Sequence, residues 1–221
     1  MSRRFDLGVY LITDPVLCGP RGVVRVVEEA IAGGVTLVQL RDPDAKTGAL
    51  VELARALAAL LRPAGIPFIV NDRVDVALAV GADGVHVGQR DMCPSDVRRL
   101  IGPDAILGLS VTSPAQLASS DLTGVDYLGV GPICATRTKK DAATPIGVAG
   151  LRSVAALTAL PIVAIGGIHA GNAEEIIEAG AEGVAVVSAI CAAPEPRTAT
   201  DALRQIVASA RDARAGRVRE P

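Results

Sequence analysis

Three sets of side chains in this sequence have types and positions that could do chemistry. Asp72, just after Asn71, and Asp91, just after Gln89-Arg90, each follow a short apolar run. Two carboxylates held side by side repel unless a cation or a proton lies between them. Mg²⁺ is commonly held by one or two carboxylates, with phosphate oxygens completing its shell. Either residue could instead close an Asx turn or cap a helix, Asp91 for one opening near Cys93-Pro94-Ser95. The second set lies in the run from Gly131 to Asp141, which has no helical periodicity and carries Thr136, Arg137, Thr138, Lys139 and Lys140. Hydroxyls fix orientation and Lys acts as a point charge, so this inventory suits phosphate oxygens. Taken alone it describes a solvated basic loop equally well. The third set is Gly166-Gly167 and Val187-Ser188, where backbone N–H groups could cradle an anion or the glycines could simply make a tight turn.

What must position these residues is a repeat. Ala32–Gln39, Gly81–Gly88, Thr123–Val130 and Gly180–Val187 each read as a glycine stop followed by a short apolar strand. They recur about every 50 residues. Further strands are expected at Leu7–Thr13, Pro67–Asn71, Ile106–Val111 and Pro161–Gly166, giving eight. Helical patterns lie at Gly22–Ile31, Thr47–Leu61, Val74–Val80, Ser95–Leu100, Ser113–Ser119, Val148–Leu157, Ala173–Ala179 and Asp201–Ala210. Near-continuous apolar strands alternating with helices indicate a parallel sheet covered on both faces. Eight units without a break predict a single (β/α)8 TIM barrel over residues 1–221, with a frayed, solvated tail after about Arg211. A doubly wound sheet would carry a Gly-x-Gly-x-x-Gly turn after its first strand, where this chain has Thr13-Asp14-Pro15.

In such a barrel the site forms at the carboxyl ends of the strands. Those ends carry Thr13 and Asp14, Gln39 and Arg41, Asn71 and Asp72, Gln89 and Asp91, Ser110, the threonine–lysine loop, Gly166-Gly167 and Ser188. His86 lies within a strand and is expected to be satisfied inside the barrel or against a helix. His169 is expected to cap a helix, and neither histidine joins a nucleophile in a triad.

The totals narrow the class. Lys and Arg number 22 against 24 Asp and Glu, a net charge of −2 that gives no broad attraction to nucleic acid or acidic membranes. Aromatics at 2% leave no stacking platform for single strands. The four cysteines form no Cys-x-x-Cys pair, which suits a reducing cytoplasm, and no apolar run is long enough to span a bilayer. Small-molecule ligands are expected, and homo-oligomerisation is left open.

Taken together, Gln39-Leu40-Arg41-Asp42, Asn71-Asp72, Asp83–Gln89 with Asp91, Gly131-Pro132-Ile133 running to Lys139, Ile165–Ile168 and Val187–Ile190 resemble the thiamine phosphate synthase family, from Tyr10 to Ile190. The resemblance implies an Mg²⁺-dependent transferase that couples a hydroxymethylpyrimidine diphosphate to a thiazole phosphate, giving thiamine phosphate and diphosphate. Carried over by position, it implies Asp72 and Asp91 as metal ligands. It implies Gln39, Leu40, Arg41, Asp42, Pro43, Asn71, Ser110 and Lys139 around the pyrimidine diphosphate. Thr136, Arg137, Thr138, Gly166, Gly167, Val187 and Ser188 would hold the thiazole phosphate, and Arg41, Lys139 and Ser110 would act in catalysis. The family usually has Lys where this chain has Pro43, so Lys46 or Lys140 is expected to take over that contact. Cys134 stands where the family usually has Phe.

Related readings are a barrel that isomerises the thiazole phosphate carboxylate, a silent phosphate-binding barrel, and a sugar-phosphate epimerase. The first relies on a histidine near the fifth strand's end, where this chain has Ser110-Val111-Thr112-Ser113. The second would lose the carboxylates, and the third needs proton-transferring side chains that here look committed to metal.

Overall fold

Short β-branched runs punctuated by glycine become eight parallel strands that close into a barrel. The computed structural model describes residues 5–136, 138 and 143–219. The strands are β1 (Val9–Ile12), β2 (Leu37–Leu40), β3 (Phe68–Asn71), β4 (Gly84–Val87), β5 (Ile106–Val111), β6 (Tyr127–Val130), β7 (Ile162–Ile165) and β8 (Gly183–Val186). Neighbours in sequence are neighbours in the barrel, and β1 closes on β8 through Val9 opposite Val184 and Leu11 opposite Val186. Between the strands run α1 (Pro15–Cys18), a 3-10 turn (Gly19–Arg21), α2 (Gly22–Ala32), α3 (Thr47–Ala64), α4 (Val74–Val80), α5 (Pro94–Ile101), α6 (Pro114–Ser119), α7 (Gly147–Ala155) and α8 (Ala173–Glu178). After β8 come α9 (Ser188–Cys191) and α10 (Pro196–Arg219). The fold is the (β/α)8 barrel that the repeat predicts. Among the described residues no helix is long and apolar enough to cross a membrane.

Side-chain alternation splits the apolar residues into two cores. Val9, Leu11, Val38, Leu40, Phe68 and Val70 face outward and pack under the helices. Tyr10, Ile12, Leu37, Ile69, Ile106, Tyr127, Val163 and Ala185 face inward and fill the barrel. The interior fits its largest rings by placing glycine beside them. His86 stands opposite Gly108, and Gly108 opposite Tyr127. A Cβ at Gly108 would run into the Tyr127 phenol and His86 Nδ1, and one at Gly129 would lie 3.0 Å from His86 Cε1. Tyr127 meets Tyr10 edge-on at 6.0 Å and Phe5 at 5.7 Å between ring centroids.

Two elements depart from the sequence reading. The turn after β1 contains α1, which Asp14 caps by accepting from Leu17 N at 3.0 Å. The tail after Arg211 is helical as far as Arg219, where the polar composition suggests fraying. Arg211 and Arg214 explain the difference, because they dock on backbone carbonyls of α8 and the segment that follows it. Arg211 Nε donates to the Glu182 carbonyl at 2.6 Å, and Arg214 donates to the carbonyls of Ile177 and Ala181 at 2.9 and 2.8 Å. Arg214 and Arg217 also pair with Glu182 and Glu178. Guanidinium-to-carbonyl docking leaves no apolar stripe, so periodicity could not show it.

Gly108→Ala is expected to destabilise the protein by about 2–3 kcal/mol, because the interior cannot accept the extra methyl without displacing two rings. Urea or guanidinium unfolding measures this, and a loss within error would mean the interior has room that the packing denies.

Candidate active site

The carboxyl ends of the strands form one rim, and β3 and β4 bring the two aspartates together there. Asp72 N donates to the His86 carbonyl at 2.9 Å, prolonging the β3–β4 pairing by one residue. The backbone then turns sharply, with Asp72 at φ 59°, a left-handed conformation that Asp and Asn adopt more readily than other side chains. Asn71 Nδ2 donates to Asp72 Oδ2 at 2.6 Å. The loop after β4 is fixed by Asp91 Oδ2, which accepts from Gly88 N at 2.8 Å. The Asp72 and Asp91 carboxyls lie within hydrogen-bonding reach of each other.

That proximity perturbs Asp72. Its carboxyl is pushed up to about 6, first because protein crowds it away from water and then because of the charge and contact of Asp91. Arg41 and the Asn71 amide pull the other way. The residue is nevertheless exposed on its outer side, so solvent screens part of the repulsion. Two adjacent oxygen ligands that resist being charged together fit a hard divalent cation. Among the described residues no third His, Cys, Asp or Glu joins them. A cation there would complete its shell with water or ligand oxygens.

Arg41 reaches this rim from β2. Its N donates to Thr13 Oγ1 at 3.0 Å, and Thr13 N donates to the Gln39 carbonyl at 2.9 Å, stitching the ends of β1 and β2 together. Asp42 begins the following turn, its carbonyl accepting from Ala45 N at 3.4 Å. Pro43 and Lys46 are exposed on the same rim loop. The Leu40 side chain is buried in the layer between strands and helices, so its backbone is what reaches the mouth.

Gln39 and Ser110 point inward and are joined through the barrel. Gln39 Nε2 donates to the Tyr10 hydroxyl at 2.6 Å. The Tyr10 and Tyr127 hydroxyls are 2.9 Å apart, and His86 bridges the Tyr127 hydroxyl (Nδ1, 2.9 Å) and Ser110 Oγ (Nε2, 2.9 Å). His86 is thus satisfied inside the barrel, as its place in the strand predicts. Burial, opposed by the charge of Asp91, lowers His86 to about 4, so the ring is neutral at pH 7. Burial also raises both tyrosines above their usual value.

On the other side of the rim, the exits of β6, β7 and β8 enclose an open cleft of about 490 Å³ whose walls include Cys134, Gly167, His169, Asn172 and Ser188. The segment after β6 is pinned to the β7 exit, with Ile133 N donating to Ile165 O and Cys134 N to Gly166 O, both at 2.9 Å. Gly166 (φ 98°) and Gly167 (φ 64°) are left-handed, and a Cβ on Gly167 would lie 2.7 Å from the Ala135 carbonyl. Thr138 N donates to Thr136 Oγ1 at 3.3 Å. The Val187 carbonyl accepts from Cys191 N at 2.8 Å, opening α9 at Ser188. Arg137, Lys139 and Lys140 lie outside the described residues.

Asn172 was not singled out by the sequence reading. It stands where a helix cap belongs, yet its amide Nδ2 donates to the Gly167 carbonyl at 3.0 Å and its Oδ1 accepts from His169 N at 2.9 Å. It therefore fixes the glycine turn. An Asn before a helix reads equally as a cap, so no sequence signal separates the two uses. The His169 ring helps shape the same turn, Nδ1 accepting from Gly171 N at 3.1 Å.

A carboxylate pair with an arginine beside it, facing a glycine-built cleft on one barrel rim, is the equipment of a phosphate-handling barrel enzyme. Comparison with known proteins narrows the class. The family model described as thiamine monophosphate synthase matches residues 9–190, and the chain belongs to that family of transferases. It is 56% identical over 211 residues to a thiamine-phosphate synthase of Azorhizobium caulinodans, covering 96% of this chain and all of that one. It is 59% identical over 211 residues to one of Xanthobacter autotrophicus, with the same coverage. A solved thiamine phosphate pyrophosphorylase from Pyrococcus furiosus superposes with a TM-score of 0.84 at 40% identity, covering 93% of this chain and 97% of that one.

The carboxylate pair makes stability depend on pH. Because Asp72 sits near 6 against its usual 3.8, the native state keeps that proton longer than the unfolded chain does. Stability falls as pH rises through that window and stays lower above it. Without added divalent ion, Asp91→Asn is expected to raise the melting temperature at pH 7.5 and to flatten the decline above pH 4. A variant that melts lower at pH 7.5 with the same pH slope as the parent would contradict this.

Proposed function

We propose that the protein is a cytoplasmic thiamine-phosphate synthase. It joins 4-amino-5-hydroxymethyl-2-methylpyrimidine diphosphate to thiazole phosphate and releases diphosphate. The observation that carries this reading is the Asp72–Asp91 pair beside Arg41 and Asn71, on the same rim as the glycine-built cleft. Its four free cysteines suit a reducing compartment.

In this reading Asp72 and Asp91 hold Mg²⁺, which when bound supplies Lewis-acid neutralisation of the diphosphate. Arg41 and Asn71 contact the diphosphate, with Lys139 adding a second fixed cation. Gln39 and Ser110 orient the pyrimidine ring, with the backbone of Leu40 and the Asp42-Pro43 turn forming the wall beside it. Thr136, Arg137 and Thr138, with backbone groups at Gly166, Gly167, Val187 and Ser188, grip the thiazole phosphate. The bond from the pyrimidine methylene to the diphosphate oxygen breaks with its electron pair leaving on diphosphate. The thiazole nitrogen then donates its pair to that carbon. No protein nucleophile takes part, so the protein contributes charge stabilisation, orientation and exclusion of water. Lys46, exposed on the rim loop after β2, stands in for the lysine missing at Pro43.

Incubating the purified protein with both substrates and Mg²⁺ should yield thiamine phosphate, and absence of product would reject the reading. Asp72→Asn is expected to lower kcat/KM by about 10²-fold or more. Mg²⁺ should raise the melting temperature more at pH 7.5 than at pH 5, and this gain should shrink in Asp91→Asn. Lys46→Ala should raise the KM for the pyrimidine diphosphate about fivefold. An unchanged KM would remove Lys46 from the site.

A further inference from the structure

The hydrogen-bond chain inside the barrel has a direction. Gln39 Nε2 can only donate, so the Tyr10 oxygen accepts from it. Tyr10 has one hydroxyl hydrogen, and the other hydroxyl in reach is Tyr127, 2.9 Å away. If Tyr10 donates there, the Tyr127 hydrogen is left for His86 Nδ1 at 2.9 Å. A neutral imidazole accepting at Nδ1 carries its hydrogen on Nε2, which then donates to Ser110 Oγ at 2.9 Å. Ser110, already accepting, has its own hydrogen free for the mouth. Running these links the other way would bring hydrogens from both Gln39 and Tyr127 to the Tyr10 oxygen and leave the Tyr10 hydrogen without an acceptor. Both phenols are almost wholly enclosed, at 1% and 0% exposed, and His86 at 8%, so water has little room to relieve such a mismatch. Among the described residues no buried side-chain N or O lacks a partner.

We propose that Tyr10, Tyr127 and His86 are positioning residues, whose one-way hydrogen-bond chain leaves the Ser110 hydrogen free to donate and Gln39 Oε1 free to accept at the substrate mouth. The consequence is specificity. A ligand ring that offers Ser110 a lone pair, as a pyrimidine ring nitrogen does, takes up that hydrogen, and an amino substituent would suit Gln39 Oε1. A ring bearing N–H towards Ser110, as a pyrimidinone tautomer would, leaves that hydrogen unused and shares the Ser110 oxygen with His86 Nε2–H. This rests on the proposed pyrimidine site, but the ordering belongs to the protein alone and can be tested without substrate.

The direct test is the tautomer of His86, read from ¹⁵N shifts in protein labelled at its two histidines, with His169→Gln supplying the assignment. The expected result at pH 7 is a single Nε2–H tautomer for His86, shifting to a mixture in Tyr127→Phe. Kinetically, Tyr127→Phe should raise the KM for the pyrimidine diphosphate about fivefold while leaving the KM for thiazole phosphate unchanged. An Nδ1–H tautomer in the parent protein overturns the proposal. So does a Tyr127→Phe variant in which both KM values rise together with a lower melting temperature, since that is the mark of a packing role alone. If the parent protein forms no thiamine phosphate but His86 is still a single Nε2–H tautomer that Tyr127→Phe disturbs, the ordering stands and the substrate reading falls.

Discussion

A barrel interior has too little room for water, and this constraint shapes more of the molecule than any other. Every polar atom placed there must find a protein partner, because an unpaired one costs about 1–3 kcal/mol. The chain meets the demand with a continuous run from Gln39 through Tyr10, Tyr127 and His86 to Ser110. Two phenols and an imidazole are bulky, and they fit because the facing strand positions include Gly108 and Gly129. Strand register, the choice of glycine and the orientation of two mouth residues are therefore one solution to one packing problem.

The rim obeys a different rule, because there solvent is available and charge can be concentrated. The ladder bond from Asp72 N to the His86 carbonyl carries β3 one residue beyond its strand and delivers Asp72 beside Asp91. The left-handed backbone at Asp72 is one that Asp adopts readily, whereas its displaced protonation comes from burial and from Asp91. Surrounding bonds must hold the two carboxyls together. Here they do so through the Gly88–Asp91 bond and the Asn71 amide. Across the rim, the β6 and β7 exits are locked by backbone bonds and by Asn172.

The sequence made the fold legible because its strands are short apolar runs cut by glycine, and β3, β4 and β5 begin and end within a residue or two of where that pattern puts them. The rim residues were legible for a geometric reason: in a parallel barrel the residue after each strand must face the same mouth. The facing of Leu40 follows from its neighbour Gln39, whose amide points into the barrel and so turns the Leu40 side chain towards the helices. The docked end of α10 escaped because arginines bonding to carbonyls resemble solvated arginines in composition. The interior chain escaped because Tyr10 and Tyr127 lie more than a hundred residues apart, and only barrel closure makes them neighbours.

These environments also bear on what kind of chemistry the protein can supply. A useful general base holds its proton loosely near the working pH. Burial drives His86 down to about 4 and both tyrosines upward, so the interior groups are poor at gaining or losing a proton at pH 7. What they hold well is hydrogen-bond polarity, which burial stabilises for the same reason that it opposes charge. The charged groups are gathered at the rim instead. The proposed reaction, in which a diphosphate departs and a ring nitrogen attacks, would use that division: fixed charges where the leaving group develops negative charge, and fixed dipoles where the ring must be oriented.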